Sequence, residues 1–292
     1  MSSVASEAVL IGLDWGTTSL RAFLIGKDGD VLKAVSSSQG IMQVEGGGFA
    51  STFRSLVEPW LCEKSLPIIA CGMITSRNGW VETPYLQVPS GSDELAGALV
   101  SHKTPEGIDL HFVTGLSIEH GAAPDVMRGE ETQIVGAAAM ALGDGVYVMP
   151  GTHSKWVSVR DGRIDEFRTY MTGEVFAALR KQTILGSLMS DGPFNEDGFR
   201  LGVSSGLETG TDLLHRLFHA RTMPLFGKVT EEMAADYLSG LLIGSEIKSE
   251  VGALPTGSDV TIIGRGDLAD RYALALEAAG LSGQSAPDNI CL

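Results

Sequence analysis

Two short glycine-hydroxyl loops hold the densest chemistry in this chain. Asp14-Trp15-Gly16-Thr17-Thr18-Ser19 follows one apolar run, and Gly151-Thr152-His153-Ser154-Lys155 follows another. Such a turn aims successive backbone N–H groups at an anion, and nearby hydroxyls add donors. The second loop also offers an imidazole and an ammonium group. Asp14, closing its strand, is a hard oxygen ligand of the kind that holds a magnesium ion, directly or through water. Each loop taken alone also reads as an ordinary polar turn; as a pair they can grip one polyphosphate. Neither is a Walker A loop, which needs GxxxxGK[ST] between a strand and a helix, and no GxGxxG follows a predicted strand.

Three further segments can carry chemistry. Arg128-Gly129-Glu130-Glu131 opens an apolar-periodic stretch. Glu130 or Glu131 can serve as a general base, and Arg128 can hold a substrate carboxylate with two parallel hydrogen bonds. Acids at a helix start also simply complement the helix dipole. The segment 71–85 is rich in polar and aromatic side chains. Ser76, Arg77, Asn78 and Glu82 suit a polyol or an acid, with Trp80 and Tyr85 as walls; the alternative is a folded surface loop. Finally, Gly264-Arg265-Gly266 precedes a helix, where a flat base or ribose can lie close to backbone, although a helix entry often needs glycine anyway.

The elements that position these segments form a repeated pattern. Val9–Asp14, Leu20–Ile25 and Val31–Val35 read as strands, with Asp28-Gly29 as a hairpin turn. Val146–Pro150, Trp156–Val159 and Ile164–Thr169 repeat that cycle around Asp161-Gly162. Gly16-Thr17-Thr18-Ser19 and Gly151-Thr152-His153-Ser154 match at three of four positions, 135 residues apart. Either the domain is duplicated or two hairpins look alike by chance. Helices are predicted at Ala50–Leu61, Asp93–Leu99, Glu130–Leu142, Glu174–Thr183, Thr209–Ala220, Glu231–Ile247 and Leu268–Ala279. Further strands are expected at Pro67–Cys71, His111–Thr114 and Val260–Ile263. The order favours an α/β protein with mixed sheets.

Composition narrows the class. The 292 residues are 43% hydrophobic, enough for a sizeable core, and carry a net charge of −15. That charge disfavours a nucleic-acid-coating protein, which needs a basic face. Cys62, Cys71 and Cys291 form no CxxC pair, which fits a reducing compartment and excludes a disulfide scaffold. Neither a signal peptide nor a membrane-length apolar run is visible, so a cytoplasmic protein without membrane or nucleic-acid partners is expected.

Taken together, the motifs resemble the actin, hexokinase and Hsp70 ATPase superfamily, and within it the 2-dehydro-3-deoxygalactonokinase family. The resemblance is carried by Gly-Leu-Asp-Trp-Gly-Thr-Thr-Ser at 12–19, Gly-Met-Ile-Thr-Ser-Arg-Asn-Gly-Trp at 72–80, Arg-Gly-Glu-Glu-Thr-Gln at 128–133 and Pro-Gly-Thr-His-Ser-Lys-Trp at 150–156. It implies two ribonuclease-H-like domains, over 1–140 and 141–292, with an interdomain cleft. It also implies ATP-dependent phosphorylation of 2-dehydro-3-deoxy-D-galactonate on its terminal hydroxyl, with Mg2+ as cofactor. By that resemblance Asp14 faces the metal, and Gly16, Thr17 and Thr18 the transferring phosphate. Gly151, Thr152 and His153 hold the other phosphates, with Ser154 and Lys155 beside them. Gly264, Arg265 and Gly266 lie near the adenosine. Glu130 is the first choice of base and Glu131 the second. Arg128 and the 72–85 segment take the sugar acid. The partners implied are the sugar acid and ATP, with a homodimer as one arrangement.

Two other functions use the same features. The Gly-Glu-Glu run also resembles exopolyphosphatases, in which a glutamate activates water; the polar-aromatic 72–85 segment argues for an organic acceptor instead. A non-enzymatic actin-like protein would polymerise or carry a DNA-binding extension, and no basic helix-turn-helix segment is visible.

Overall fold

In a computed structural model the described residues are 7–61, 65–121, 123–208, 210, 212–252, 254, 258–264 and 266–286. They divide into two compact units. One runs to Gly143 and includes Val159–Glu166; the other comprises Asp144–Ser158 and the chain from Phe167.

In the first unit, apolar alternation builds a β-meander that leads into parallel strands. Its elements are β1 (Ala8–Trp15), β2 (Leu20–Gly26), β3 (Val31–Ser37), α1 (Phe49–Leu61), β4 (Ile68–Cys71), β5 (Tyr85–Gln87), α2 (Ser92–Gly97), β6 (Val100–Lys103), β7 (Asp109–Phe112), β8 (Gly115–His120), β9 (Ala123–Met127) and α3 (Glu130–Ala137). The main sheet has the order β3-β2-β1-β4-β7-β6. The β1–β2 and β2–β3 pairs are antiparallel, whereas β4 lies parallel to both β1 and β7. A separate three-stranded sheet, β5-β8-β9, stands beside the start of α3. α1 presents Phe49, Phe53, Val57 and Trp60 to the core at helical spacing, where they meet Ile11, Leu13, Trp15 and Phe112.

The second unit contains β10 (Gly145–Met149), β11 (Ser154–Arg160) and β12 (Arg163–Tyr170), whose joining stretch Val159–Glu166 counts with the first unit, then α4 (Thr172–Gln182), α5 (Glu196–Leu207), α6 (Leu213–Leu217), α7 (His219–Leu225), α8 (Glu231–Val251), β13 (Asp259–Ile262), α9 (Gly266–Ala278) and β14 (Ser282–Ser285). Its sheet order is β12-β11-β10-β13-β14. Read from the first strand of each unit, both sheets run third-second-first-fourth, followed by β7 and β6 in the first unit and by β14 in the second. This shared order makes the repeated glycine turns equivalent parts of two similar folds rather than chance look-alikes.

α5 and α8 pack backbone to backbone. Gly198, Gly202 and Gly206 on α5 and Gly240 and Gly244 on α8 form the seam, at spacings of four that bring one residue per turn to the same face, with Gly206 against Gly244 and Gly198 against Met233. A Cβ on Gly202 would lie 2.1 Å from the Tyr237 carbonyl oxygen, and one on Gly240 would lie 2.1 Å from that of Phe199.

Several expected elements change. The predicted Thr209–Ala220 helix is two short helices; Thr209 itself lies outside the described residues. Asp212 accepts the Gly210 N–H at 3.0 Å and pairs with Arg216 at 2.8 Å, so a turn delays the start of α6 to Leu213. The Glu130–Leu142 helix is α-helical only to Ala137 and widens to a π-turn at Ala138–Leu142. The His111–Thr114 strand begins earlier, at Asp109, and ends at Phe112. α5 and strands β5, β6, β8, β9 and β14 were not anticipated; the three glycines of α5 depress its helix propensity. No helix among the described residues is long and apolar enough to cross a membrane.

Candidate active site

The carboxyl ends of β1 and β4 meet the start of α3. The parallel register pairs Asp14 with Cys71. The chain then turns at Gly72, whose φ is +93°, and a Cβ there would lie 2.9 Å from the Trp15 carbonyl oxygen and 3.1 Å from Asp14 Oδ1. Gly129, φ +111°, comes equally close: its Cβ would lie 3.1 Å from the Gly72 Cα. Only glycine at both positions lets the start of α3 press on the end of β4. Three carboxylates gather there. Asp14 accepts from Arg21 Nε at 3.1 Å and pairs with its Nη2. Glu130 accepts the Arg128 N–H at 3.0 Å, and Glu131 accepts the Gly129 N–H at 2.7 Å.

The two neighbouring glutamates differ in environment. Glu130 is half-buried, whereas Glu131 is 1% exposed. Burial, reinforced by the Glu130 charge, pushes Glu131 up to about 7, against the pull of hydrogen bonds from the backbone and Thr132. Desolvation, with Asp14 and Glu131 nearby, pushes the Cys71 thiol far above its ordinary range. Cys71 is therefore a neutral thiol and no nucleophile. Cys62 and Cys291 lie outside the described residues.

The first glycine turn is closed by Gly16 N–H donating to Ser19 O at 2.9 Å. Its outward carbonyls are tied back: Gly16 O accepts from Ile41 N at 3.0 Å and Thr17 O from Met42 N at 3.2 Å. Gly40 sits directly behind, where a Cβ would come within 2.4 Å of Thr17 O. Among the described residues, the N–H groups of Thr17 and Thr18 donate to no protein atom. The second turn repeats the device. Thr152 O accepts from Glu174 N at 2.9 Å, and a Cβ on Gly173 would lie 2.3 Å from Gly151 O. The N–H groups of Gly151, Thr152 and His153 likewise donate to no described protein atom. Unsatisfied, accessible amides on successive residues are what an anion-binding loop requires.

Other predicted site residues have different duties. Ser154 is fully buried and its hydroxyl is spent on Glu246, so it does not face outward with the loop. Lys155 is also buried, at 5% exposure. His153 Nε2 bonds Glu174 at 2.6 Å, on the rim of the turn. Arg128 offers no open fork to a ligand. Its Nη1 donates to Thr75 O and Oγ1, both at 2.7 Å, and to Thr83 Oγ1 at 2.6 Å. Its Nη2 reaches Thr83 O at 3.0 Å. The guanidinium also lies 4.2 Å from the Tyr85 ring centroid. Arg128 thus ties the 72–85 segment to the start of α3. Trp80 turns inward against Trp15, Phe53 and Phe112 and forms core rather than a ligand wall, because a ring of that size gains most by burial. Arg77, Asn78, Glu82 and Tyr85 remain exposed, and Ser76 Oγ is shielded with no protein partner.

In the second unit a cavity of about 360 Å³ adjoins the glycine turn. Gly151, Gly173, Asp236, Ser239, Arg271 and Tyr272 are among its lining residues. Arg271 is fixed there by Asp236 at 2.7 Å and lies 4.4 Å from the Phe194 ring centroid. A Cβ on Gly264 would lie 3.4 Å from Pro150 Cδ, and Gly266 opens α9 with φ +63°. Arg265 lies outside the described residues. The sequence reading missed Gly40, Gly173, Arg271 and Glu246. The glycines follow their loops at similar distances, and Glu246 is an acid within the apolar stretch Leu241–Ile247, a visible exception to its surroundings.

Among the described residues no cluster of three His, Cys, Asp or Glu side chains is arranged to hold a metal ion. A single accessible carboxylate such as Asp14 still fits magnesium, which keeps most of its waters and shares phosphate oxygens.

The repeated sheet order and the paired glycine turns define an actin-like ATPase of the sugar-kinase type. That fold extends to an activator of 2-hydroxyisocaproyl-CoA dehydratase from Clostridium difficile, with a TM-score of 0.51 at 11% identity over 96% of this chain and 88% of the other. A family model for 2-keto-3-deoxy-galactonokinase matches residues 14–291, and the chain belongs to that family. It is 35% identical over 270 residues to the 2-dehydro-3-deoxygalactonokinase of Escherichia coli K12, covering 92% of this chain and 90% of the relative. A crystal structure from Sinorhizobium meliloti, assigned as a 2-dehydro-3-deoxygalactonokinase, superposes with a TM-score of 0.88 at 35% identity, over 97% of this chain and 95% of the other.

Proposed function

We propose that this protein transfers the γ-phosphoryl group of ATP to the terminal hydroxyl of 2-dehydro-3-deoxy-D-galactonate, giving the 6-phosphate and ADP in galactonate breakdown. The observation that carries the reading is the pair of glycine turns in which the carbonyls of Gly16, Thr17 and Thr152 are tied back while the N–H groups of Thr17, Thr18 and residues 151–153 donate to no described protein atom. In a phosphoryl transfer, positioning and charge neutralisation do most of the work. Thr17 and Thr18 face the transferring phosphate, and Gly151, Thr152 and His153 hold the others. The cavity beside Arg271 takes the adenosine. Mg2+ held by Asp14 and phosphate oxygens would supply further neutralisation of charge.

Glu130 is the more accessible carboxylate and takes the proton of the acceptor hydroxyl. Glu131, buried behind it, sets its electrostatic surroundings. Ser76, Arg77, Asn78, Glu82 and Tyr85 contact the sugar acid, in a segment that Arg128 orders. The domain boundary falls near residues 140–141, and the enzyme works in the cytoplasm. Family membership disfavours both the exopolyphosphatase reading and a non-enzymatic actin-like protein.

The test is ADP production from Mg-ATP with and without 2-dehydro-3-deoxygalactonate, with its gluconate epimer in parallel. Strong stimulation by the galacto acid alone is expected. Equal stimulation by both acids would broaden the substrate, and phosphate release without either would overturn the kinase reading.

A further inference from the structure

Glu246 lies on α8, is 3% exposed, and accepts four hydrogen bonds from four different side chains. Its Oε1 takes Ser154 Oγ and Trp156 Nε1, the latter at 2.8 Å. Its Oε2 takes Thr172 Oγ1 and Tyr272 OH, the latter at 2.8 Å. Two bonds on each oxygen saturate the carboxylate. No Lys, Arg or His among the described residues lies within ion-pair distance of it. A buried carboxylate stabilised only by neutral donors is costly compared with a well-packed apolar side chain. What it gains is geometry, because its partners come from three separate elements of the unit.

Those elements are the ones that shape the second glycine turn. Ser154 and Trp156 begin β11, immediately after the turn. Thr172 begins α4, one residue before Gly173, whose backbone supports Gly151. Tyr272 is on α9, and with Thr172 it lines the 360 Å³ cavity. One carboxylate therefore fixes both ends of the contact that ties back the Thr152 carbonyl, and one wall of the neighbouring cavity. We infer that Glu246 is a positioning residue for nucleotide binding, holding the 151–153 amides and the cavity wall in register. The inference rests on the reading of that turn as the ATP-phosphate loop.

Glu246→Gln tests it with little change of shape. The amide oxygen still accepts from Ser154 and Trp156, and the amide nitrogen must now donate to Thr172 and Tyr272, whose hydroxyls have to turn. In the folded full-length variant, KM for ATP should rise about tenfold and calorimetric ADP affinity should fall in parallel. KM for the sugar acid should stay unchanged. Thr172→Val, which cuts the Glu246 link to α4 while keeping the volume of the cavity wall, should move the same two readouts in the same direction by less, and it carries the test if the first variant does not fold. Gly173→Ala separates the inference from its premise. If Gly173→Ala weakens ATP while Glu246→Gln and Thr172→Val leave ATP and ADP binding as in wild type, the inference fails and the loop reading stands. If Gly173→Ala also leaves nucleotide binding unchanged, the loop reading falls and the inference falls with it.

Discussion

The two glycine turns solve the same backbone problem with different side-chain support. In each, a glycine from a later segment presses on the turn, and backbone N–H groups capture carbonyls, those of Gly16 and Thr17 in the first and that of Thr152 in the second. Beside the first turn stands Asp14, one quarter exposed and paired with an arginine that is equally exposed. Beneath the second stands Glu246, sealed among hydroxyls and an indole. An accessible charge can exchange its partner for a metal ion or a phosphate-bound water. A sealed one cannot, and acts only through the geometry it imposes. The shared backbone device thus marks what the two halves have in common, and on the proposed reading the carboxylates mark how they divide the labour.

The largest test of that division is Asp14→Asn. It should lower kcat by about 10³-fold, the scale of removing a charge-stabilising group at a reacting centre, with the thermal midpoint nearly unchanged. Undiminished turnover would make Asp14 as passive as Glu246. Next is Glu130→Gln, which should lower kcat by about 10²-fold with little change in KM, as loss of a general base does. If Glu131→Gln shows that loss and Glu130→Gln does not, the buried glutamate is the base. Smaller again, Gly40→Ala and Gly173→Ala should each cost about tenfold through a displaced turn. The first should appear in kcat and the second in KM for ATP; the same signature from both would erase the distinction between the loops.

The smallest effect concerns stability. Glu131 titrates at about 7 in the folded chain against an ordinary 4.5. The folded state therefore holds a proton that the unfolded chain releases between those values. The associated stability is fully present below about 4.5 and is lost as pH rises through about 7. Glu131→Gln should remove that slope, so its urea midpoint should fall less than that of wild type between pH 5 and pH 8. Parallel slopes would show that Glu131 is not proton-bound in the native protein.

Much of the site was legible because it rests on local pattern. Glycine-hydroxyl turns after apolar runs, and acids at a helix start, are read from neighbouring residues. The tie-backs were not legible, since nothing near Gly40 or Gly173 says which turn each will meet. Trp80 and Arg128 misled for a related reason. Aromatic and charged types suggested ligand contacts, but long-range packing gave one to the core and the other to Thr75 and Thr83. The repeated sheet order confirmed what two matching tetrapeptides suggested. The β5-β8-β9 sheet went unseen because its strands are short and half-exposed.

The glycine seam between α5 and α8 also governs how the protein tolerates change. Replacing helical glycine by alanine is a common route to heat resistance, worth about 0.5–1 kcal/mol where space allows. At Gly202, Gly206, Gly240 and Gly244 the added methyl would collide with the partner backbone at 2.6 Å or less. At Gly97 and Gly136 it would meet nothing within 4 Å. A thermostable variant is therefore to be sought in α2 and α3, while the seam filters sequence drift one methyl group at a time.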